Sequence, residues 1–509
     1  MKPLLTLLHL LSVSSSLDIN DEKTCNPSSS RLSVLFLHSM FPSHYYPLIS
    51  LGAELVSRGH KVTSFGVTIE GFEHIPSLIR SYGINYIEGI KMKRDIYDAY
   101  IRHTQGTNIT GNVFSIVSDI RNGIFQERDY LSRMGKAIQT KLNSSHYDYI
   151  IGEHATMALI YHVHKIWKTD NIMLVMLIVG LIPQYIIPWP YPKPFTPITD
   201  NMSFLDRFIN TVLYGPMEYI AVRLFMKALI PEGEESLSEP GLHLIYQPVL
   251  LTTVIGFERP VPSLPTQHYI GPMLLPNQPP LDSKLISWLG ADSESPVIYI
   301  STGTLTGMTQ ETADIILSLS DQYRLLWSRP GRDDVRERPN TNQVYITSWL
   351  EQTSLLKHPS VKLALLHCGV NSVHEALYFA VPVLCIPQGG DQFDIGFRLT
   401  SQKLGISITA KELTVKKLKE SVEALMTKSI YRKNVERTSR LLREGGGAKR
   451  GADLVELYAE VGYSHAMPPF IRGEWNSIKY YNIDVWVVIL SMVVLLFGGC
   501  SKYCCHCYC

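Results

Sequence analysis

The sequence predicts an α/β protein made of two doubly wound parallel sheets facing a cleft, with one apolar membrane-spanning helix near the C-terminus. Three observations carry this reading. Apolar runs of strand length alternate with stretches whose apolar residues recur at helical spacing, from Leu32 onward and again from Val297 onward; that alternation makes parallel sheets. Seven prolines, at 260, 262, 265, 272, 276, 279 and 280, separate the two series. Proline lacks an N–H and fixes its φ, so this density excludes regular structure and marks a linker. Residues Val485–Ser501 carry no charge for 17 positions, about 25 Å as a helix, at the short limit for a membrane span.

Length and composition agree. A chain of 509 residues accommodates two or three domains. Lys+Arg number 47 and Asp+Glu 46, which argues against a nucleic-acid binder acting through a positive field. With 18% charged and 45% hydrophobic residues, disorder over most of the length is excluded. Five of the eight cysteines fall in Cys500–Cys509, and Cys25, Cys368 and Cys385 are scattered; such spacing makes no disulfide-rich framework.

The elements follow in order. Met-Lys-Pro, then apolar Leu4–Val13 and Ser14-Ser15-Ser16, read as a signal peptide over residues 1–16. The first domain spans 30–255. It opens with a strand at Leu32–His38, a loop at Ser39–Ser43, a helix marked by Leu48, Leu51 and Leu55 and ended by Gly59, and a second strand at Lys61–Phe65; this is a βαβ start. Tyr147–Ile151 reads as a further strand. Asn171–Pro192 is uncharged for 22 residues, but Pro183, Pro188, Pro190 and Pro192 argue against a continuous helix. It reads as a buried strand followed by an irregular apolar loop. Phe204–Ile230 is amphipathic and fits either a membrane surface or a core-facing helix.

After the linker at 256–285, a second domain at 286–460 carries strands at Val297–Ser301, Tyr323–Ser328, Val344–Ile346, Lys362–Leu366 and Val383–Ile386. A juxtamembrane segment at 461–482, a transmembrane helix at 483–501 and a cysteine-rich tail at 502–509 complete the chain. Tyr480, Tyr481 and Trp486 stand where an aromatic belt lies, and Lys502 follows. The expected product is a single-pass type I protein with its body in the lumen of the endoplasmic reticulum. Sequons at Asn108, Asn143 and Asn201 suit that side. The tail suits lipidation, or has no function.

Doubly wound sheets bind ligands outside the carboxyl ends of their strands. Residues 349–392 hold the polar groups for such a site. The apolar strand ends at His367, a short Gly369 turn follows, and a helix begins near Asn371-Ser372, both good N-cap types. The free N–H groups and positive dipole end of that helix make an anion site. His367 can donate to a phosphate oxygen, Glu375 can accept from sugar hydroxyls, and Trp349 offers a face to a base.

The set Trp349-Leu350-Glu351-Gln352, His367-Cys368-Gly369, Asn371-Ser372, Glu375 and Asp391-Gln392 resembles the donor-binding pattern of the UDP-glycosyltransferase superfamily, which includes the vertebrate glucuronosyltransferases. The resemblance extends over nearly the whole chain. It includes Arg58-Gly59-His60-Lys61-Val62-Thr63, Ile270-Gly271-Pro272, the Ser301-Thr302-Gly303-Thr304 turn and the C-terminal anchor. It implies the GT-B fold of two Rossmann-like domains. It further implies that Trp349 stacks on uracil and that Gln352 contacts the uridine. His367, the main chain at Asn371 and Ser372, and the Gly303-Thr304 turn then hold the diphosphate. Glu375 binds the ribose, and Asp391 and Gln392 bind the transferred sugar.

The resemblance also places a catalytic base at His44, with His38, His60 and His154 as competing histidines. A histidine near pKa 6.5 can take the proton of a hydroxyl nucleophile, and a carboxylate orients and stabilises the imidazolium. Relatives carry an aspartate for that purpose; here Glu153 stands at its place, one methylene longer, while Asp148 lies at the other end of the same strand. Two further departures are Glu351, where the pattern has proline, and Ile395, where many members have asparagine.

The resemblance implies an inverting transfer of a sugar, glucuronic acid or glucose, from a UDP-sugar to a hydroxyl of a lipophilic acceptor. Two alternatives stay open: a membrane-lipid transferase of the ceramide type, and a non-catalytic UDP-sugar-binding membrane protein. No metal or other cofactor is expected, since no carboxylate cluster of the kind a phosphate-bound magnesium needs is present, and His367, Cys368 and His374 lack a closed tetrahedral set. The expected partners are the donor, the acceptor and the membrane, with a homo-oligomer left open and no nucleic acid.

Overall fold

The computed structural model describes residues 31–98, 130–142, 145–157, 159–160, 163, 167, 171–176, 202–214, 247–258, 263–290, 295–303, 308–329, 335–336, 339–389, 391–466 and 484–492. The expected signal peptide, the three sequon asparagines, Thr304 and the tail lie outside them.

Two parallel sheets form. The first contains β1 (Ser33–Leu37), β2 (Lys61–Ile69), β3 (Asn85–Met92), β4 (Tyr149–Glu153), β5 (Ile172–Met176), β6 (Val249–Leu251) and β7 (Gln267–Tyr269), in the order β3-β2-β1-β4-β5-β6-β7. The second contains β8 (Val297–Ser301), β9 (Arg324–Ser328), β10 (Val344–Thr347), β11 (Val361–Leu366), β12 (Val383–Cys385) and β13 (Gly405–Ser407), in the order β10-β9-β8-β11-β12-β13. The named helices are α1 (Pro42–Ser57), α2 (His74–Ser81), α3 (Phe204–Ile209), α4 (Ser283–Gly290), α5 (Gln310–Leu317), α6 (Gln352–Leu356), α7 (Val370–Tyr378), α8 (Gln392–Ser401), α9 (Val415–Thr427), α10 (Ser429–Glu444) and α11 (Gly447–Val461).

In each sheet the chain starts centrally, winds outward to one side, and then returns to the other. The direction therefore reverses between β1 and β4, and between β8 and β11. A crevice opens at such a reversal, outside the carboxyl ends of the two strands. The strands that flank it are nearly all buried, as expected where layers cover both faces of a parallel sheet. Alternate residues feed separate cores: Val297, Tyr299, Ala364 and Leu366 on one face, Ile298, Ile300, Leu363 and Leu365 on the other. This is the two-residue period of a strand.

Several expectations need correction. The loop after β1 is shorter than residues 39–43, because α1 already begins at Pro42; proline suits the first helical position, where its missing N–H has no partner to lose. The proline-rich stretch is not free of regular structure. Thr266–Gly271 contains no proline, and within it Gln267–Tyr269 forms β7, paired in parallel with β6. Nor do residues 286–460 form one domain to their end. α11 returns to the first sheet: Arg58 Nη1 lies 2.8 Å from both Asp453 and Glu456, and His268 Nε2 lies 2.6 Å from the Tyr458 hydroxyl. On α3, Phe204, Leu205 and Phe208 are exposed and no residue is buried, so this helix is not core-facing. Residues 484–492 are helical. Among the described residues no helix is long and apolar enough to cross a membrane; residues 493–501 of the expected span lie outside them.

Candidate active site

The first reversal carries a histidine–carboxylate pair. His44 sits in the first turn of α1, directly after β1. Strand β4 runs to Glu153, two residues beyond the expected Ile151, and so delivers that carboxylate to the crevice. Nδ1 of His44 lies 3.2 Å from Oε2 of Glu153, with the two side chains 18% and 1% exposed. The same oxygen accepts from the Ala155 N–H at 2.8 Å. The Glu153 N–H donates to the Thr156 hydroxyl at 2.9 Å, so a turn at His154–Thr156 holds the strand end in place. A buried carboxylate requires hydrogen-bonded partners. Glu153 therefore draws the proton to Nδ1 of His44, leaving Nε2 as the basic nitrogen.

Two of the competing histidines, His38 and His60, have other duties, and the side chain of His154 lies outside the described residues. His38 is fully buried, its ring stacked on Tyr45 at 4.1 Å, and burial pulls its pKa down to about 3. His60 accepts from the Leu32 N–H at 3.1 Å and pairs with Glu456 at 2.9 Å, which ties β1 to α11. Asp148 accepts from the Ser33 N–H at 2.7 Å and serves the strand start, away from the crevice.

The second reversal is built from turns. Gly303, after β8, has φ 79°, and a Cβ there would lie 2.7 Å from the His367 ring. At Gly369 a Cβ would lie 2.5 Å from Nε2 of the same ring. Two glycines thus leave the imidazole its place. Desolvation pulls the His367 pKa down to about 4, against the raising effect of a hydrogen bond to the Ser301 main chain, so the ring is neutral at pH 7. Its Nδ1 is buried without a hydrogen-bond partner. The helix behind it, α7, starts at Val370 with Gly369 as N-cap and no side-chain cap. Asn371 and Ser372 therefore occupy the first turn instead of capping it, and their main-chain N–H groups face the turn end of the helix.

One feature of this loop escaped the sequence reading. Cys368 and Cys385 form a disulfide with Cα atoms 5.3 Å apart. The residue register explains it: Leu366 of β11 pairs with Cys385 of β12, so a cysteine just past the end of one strand meets a cysteine at the end of its neighbour.

The flank of this site holds a polar chain. The Tyr299 hydroxyl donates to Gln352 Oε1 at 2.8 Å, and Gln352 Nε2 donates to Glu375 Oε2 at 2.6 Å. Burial pushes the Glu375 carboxyl up to about 7; Gln352 opposes the shift and the nearby Glu351 adds to it. Tyr299 was not singled out from the sequence. The available signal is weak: Tyr299 and Ser301, two apart on an apolar strand, share one face. Trp349 is 47% exposed, with the His74 ring 5.9 Å away. Glu351 is raised by burial and hydrogen-bonds the Trp349 side chain. Burial pushes Asp391, before α8, up to about 6, with His44 across the crevice among the groups opposing the shift. Gln392 accepts from the Gln388 and Gly389 N–H groups at 2.8 and 3.2 Å, which shapes the loop next to Asp391. Ile395 is fully buried.

The two reversals meet directly. The side-chain amide of Asn371 donates to the Ser43 carbonyl at 2.9 Å, one residue before His44. The His44–Glu153 pair, the His367 turn, Asn371, Glu375 and Asp391 thus border one crevice between the sheets.

Comparison with known proteins agrees with this architecture. Residues 35–509 match the family described as UDP-glucoronosyl and UDP-glucosyl transferase. The chain is 22% identical over 501 residues to human UDP-glucuronosyltransferase 2B15, covering 92% of this chain and 91% of that protein. It is 25% identical over 481 residues to human 2-hydroxyacylsphingosine 1-beta-galactosyltransferase, covering 90% and 85%. Among solved structures, a glycotransferase of kitacinnamycin aligns with TM-score 0.60 and 16% identity, over 84% of this chain and 99% of that one. CalG4, the calicheamicin glycosyltransferase, aligns with TM-score 0.56 over 84% and 98%. At such identity these structures speak for the fold alone, two Rossmann-like sheets facing a cleft.

Proposed function

The chain belongs to the UDP-glycosyltransferase superfamily and is a glycosyltransferase; from that premise we propose that it moves glucuronic acid or glucose, with inversion, from a UDP-sugar to a hydroxyl of a lipophilic small molecule. The observation that carries this reading is the His44–Glu153 pair facing the His367 turn across one crevice.

Nε2 of His44 removes the proton from the acceptor hydroxyl as its oxygen bonds to the anomeric carbon. Glu153 holds the ring by Nδ1 and stabilises the imidazolium that forms. The UDP leaves from the opposite face, so an α-linked donor yields a β-linked product. The first-turn N–H groups of α7 donate to the diphosphate, where negative charge develops, and the His367 ring borders it. Glu375 accepts from the ribose, with Gln352 held against it. Trp349 offers its exposed face to uracil, and Asp391 and Gln392 border the transferred sugar. Gly303 and Thr304 complete the phosphate turn. Residues 1–16 direct the body to the lumen of the endoplasmic reticulum, and residues 483–501 anchor it as a single-pass type I protein. No metal takes part in this scheme.

The similarity to a human sphingosine galactosyltransferase favours a second reading, a membrane-lipid acceptor. One experiment separates the two. The purified full-length chain is warmed with a panel of UDP-sugars to find the donor that raises its unfolding temperature. That donor is then assayed with phenols, steroids and ceramides. Turnover of the small hydroxyl compounds supports the first reading, and turnover of ceramide alone supports the second. The His44→Ala variant is expected to lose about 10²–10⁴-fold in kcat while still binding donor; an unchanged kcat would remove His44 as the base.

A further inference from the structure

Helix α1 contains a proline at its sixth position, Pro47. In an α-helix the N–H of residue i bonds the carbonyl of residue i−4. Proline has no N–H, and its ring pushes that carbonyl aside. The carbonyl deprived of its partner is that of Ser43, the residue before His44. This is the same carbonyl that accepts the side-chain amide of Asn371 at 2.9 Å from the second domain. Tyr46, Pro47, Asn371 and Glu375 line one cavity of about 20 Å³, so the proline, the amide that donates to the Ser43 carbonyl and the Glu375 carboxylate are neighbours.

We infer that Pro47 is a positioning residue: it frees the Ser43 carbonyl to dock the Asn371 amide, and so sets His44 against the phosphate-binding end of α7. The inference rests on the roles proposed above for His44 and α7. A proline inside a helix costs about 3 kcal/mol or more, and at this position the lost bond is replaced by one that crosses the crevice. The turn carrying the base and the turn carrying the phosphate site then share a hydrogen bond. A shift of about 1 Å between reacting groups is enough to slow a reaction about 10²-fold.

A mutational cycle tests it, using the full chain. Asn371→Ala leaves the Ser43 carbonyl unpaired and lowers the unfolding temperature. In a Pro47→Ala background the new N–H of residue 47 supplies the helical partner, so the same Asn371 substitution costs less than half that shift. Pro47→Ala alone lowers kcat about tenfold and leaves the Kd for the UDP-sugar within twofold. An identical Asn371→Ala shift in both backgrounds overturns the coupling. Background-dependent shifts with an unchanged kcat overturn the positioning role. The unfolding cycle needs no ligand. If the wild type binds no UDP-sugar, the proposed function falls while the coupling is still decided.

Discussion

The two sheets share one topology and place their polar groups at the same topological position, yet the chemistry at the two reversals is opposite. At the end of β4 a carboxylate 1% exposed is paired with a histidine that opens onto the crevice. At the end of β11 a histidine held near pKa 4 by desolvation stands between two glycines and beside the uncapped end of a helix. In the proposed reaction the first arrangement changes its charge during proton transfer. The second offers main-chain N–H donors that do not titrate at neutral pH, which suits the permanently charged diphosphate of the proposed donor. A doubly wound sheet therefore fixes where a ligand lies, and the side chains beyond its strand ends decide what happens there.

The largest effect expected from this division is at Glu153. Glu153→Gln should lower kcat by about 10²–10⁴-fold, with Glu153→Asp between it and the wild type, and the Kd for UDP-sugar within twofold in both. A larger change in Kd than in kcat would break the division. Next is the disulfide under the second site. Cys385→Ser opens a loop of sequence separation 17, a loss of about 3 kcal/mol for a loop of that size. Calorimetry should show a lower unfolding temperature and a raised donor KM, with kcat at saturating donor kept. Gly303→Ala follows. A side chain at φ 79° and 2.7 Å from the His367 ring costs about 1–3 kcal/mol. Isothermal titration should show donor binding weakened about tenfold or more, and an unaltered Kd would mean that the ring does not border the diphosphate.

The smallest effect is one of pH. The Glu375 carboxyl stands at about 7 in the folded chain and about 4.3 when unfolded. A group raised on folding stabilises fully below its unfolded value, and that contribution is lost as the pH rises through the folded one. Ligand-free stability should therefore decline between about pH 4.3 and pH 7, and Glu375→Gln should flatten the decline in unfolding midpoints. Affinity for a UDP-sugar should move the other way across this window, because the ionised carboxylate is the better acceptor for ribose hydroxyls.

Much of this was legible from local patterns. The first strand and helix followed from the apolar spacing of Leu32–Leu55, and the turn between β11 and α7 from an apolar run followed by glycine and a helix start. What escaped was non-local. β7 was hidden because prolines dominate its flanks, while its own residues, Gln267–Tyr269, contain none. The return of α11 to the first sheet depends on ion pairs between Arg58 and residues about 400 positions later. The Cys368–Cys385 pair follows from a strand register that spacing alone does not disclose.

The sequence by itself determined the two alternating series, the residue types at the strand ends and the break between the halves, because strand and helix periods and turn chemistry are local properties of the chain. Only the tertiary structure decided which groups carry charge and which touch. Desolvation, which holds His367 neutral and raises Glu375, depends on what packs around each group. The bond from Asn371 to Ser43 exists because two helices 328 residues apart bring a spare donor to a carbonyl that proline left without one.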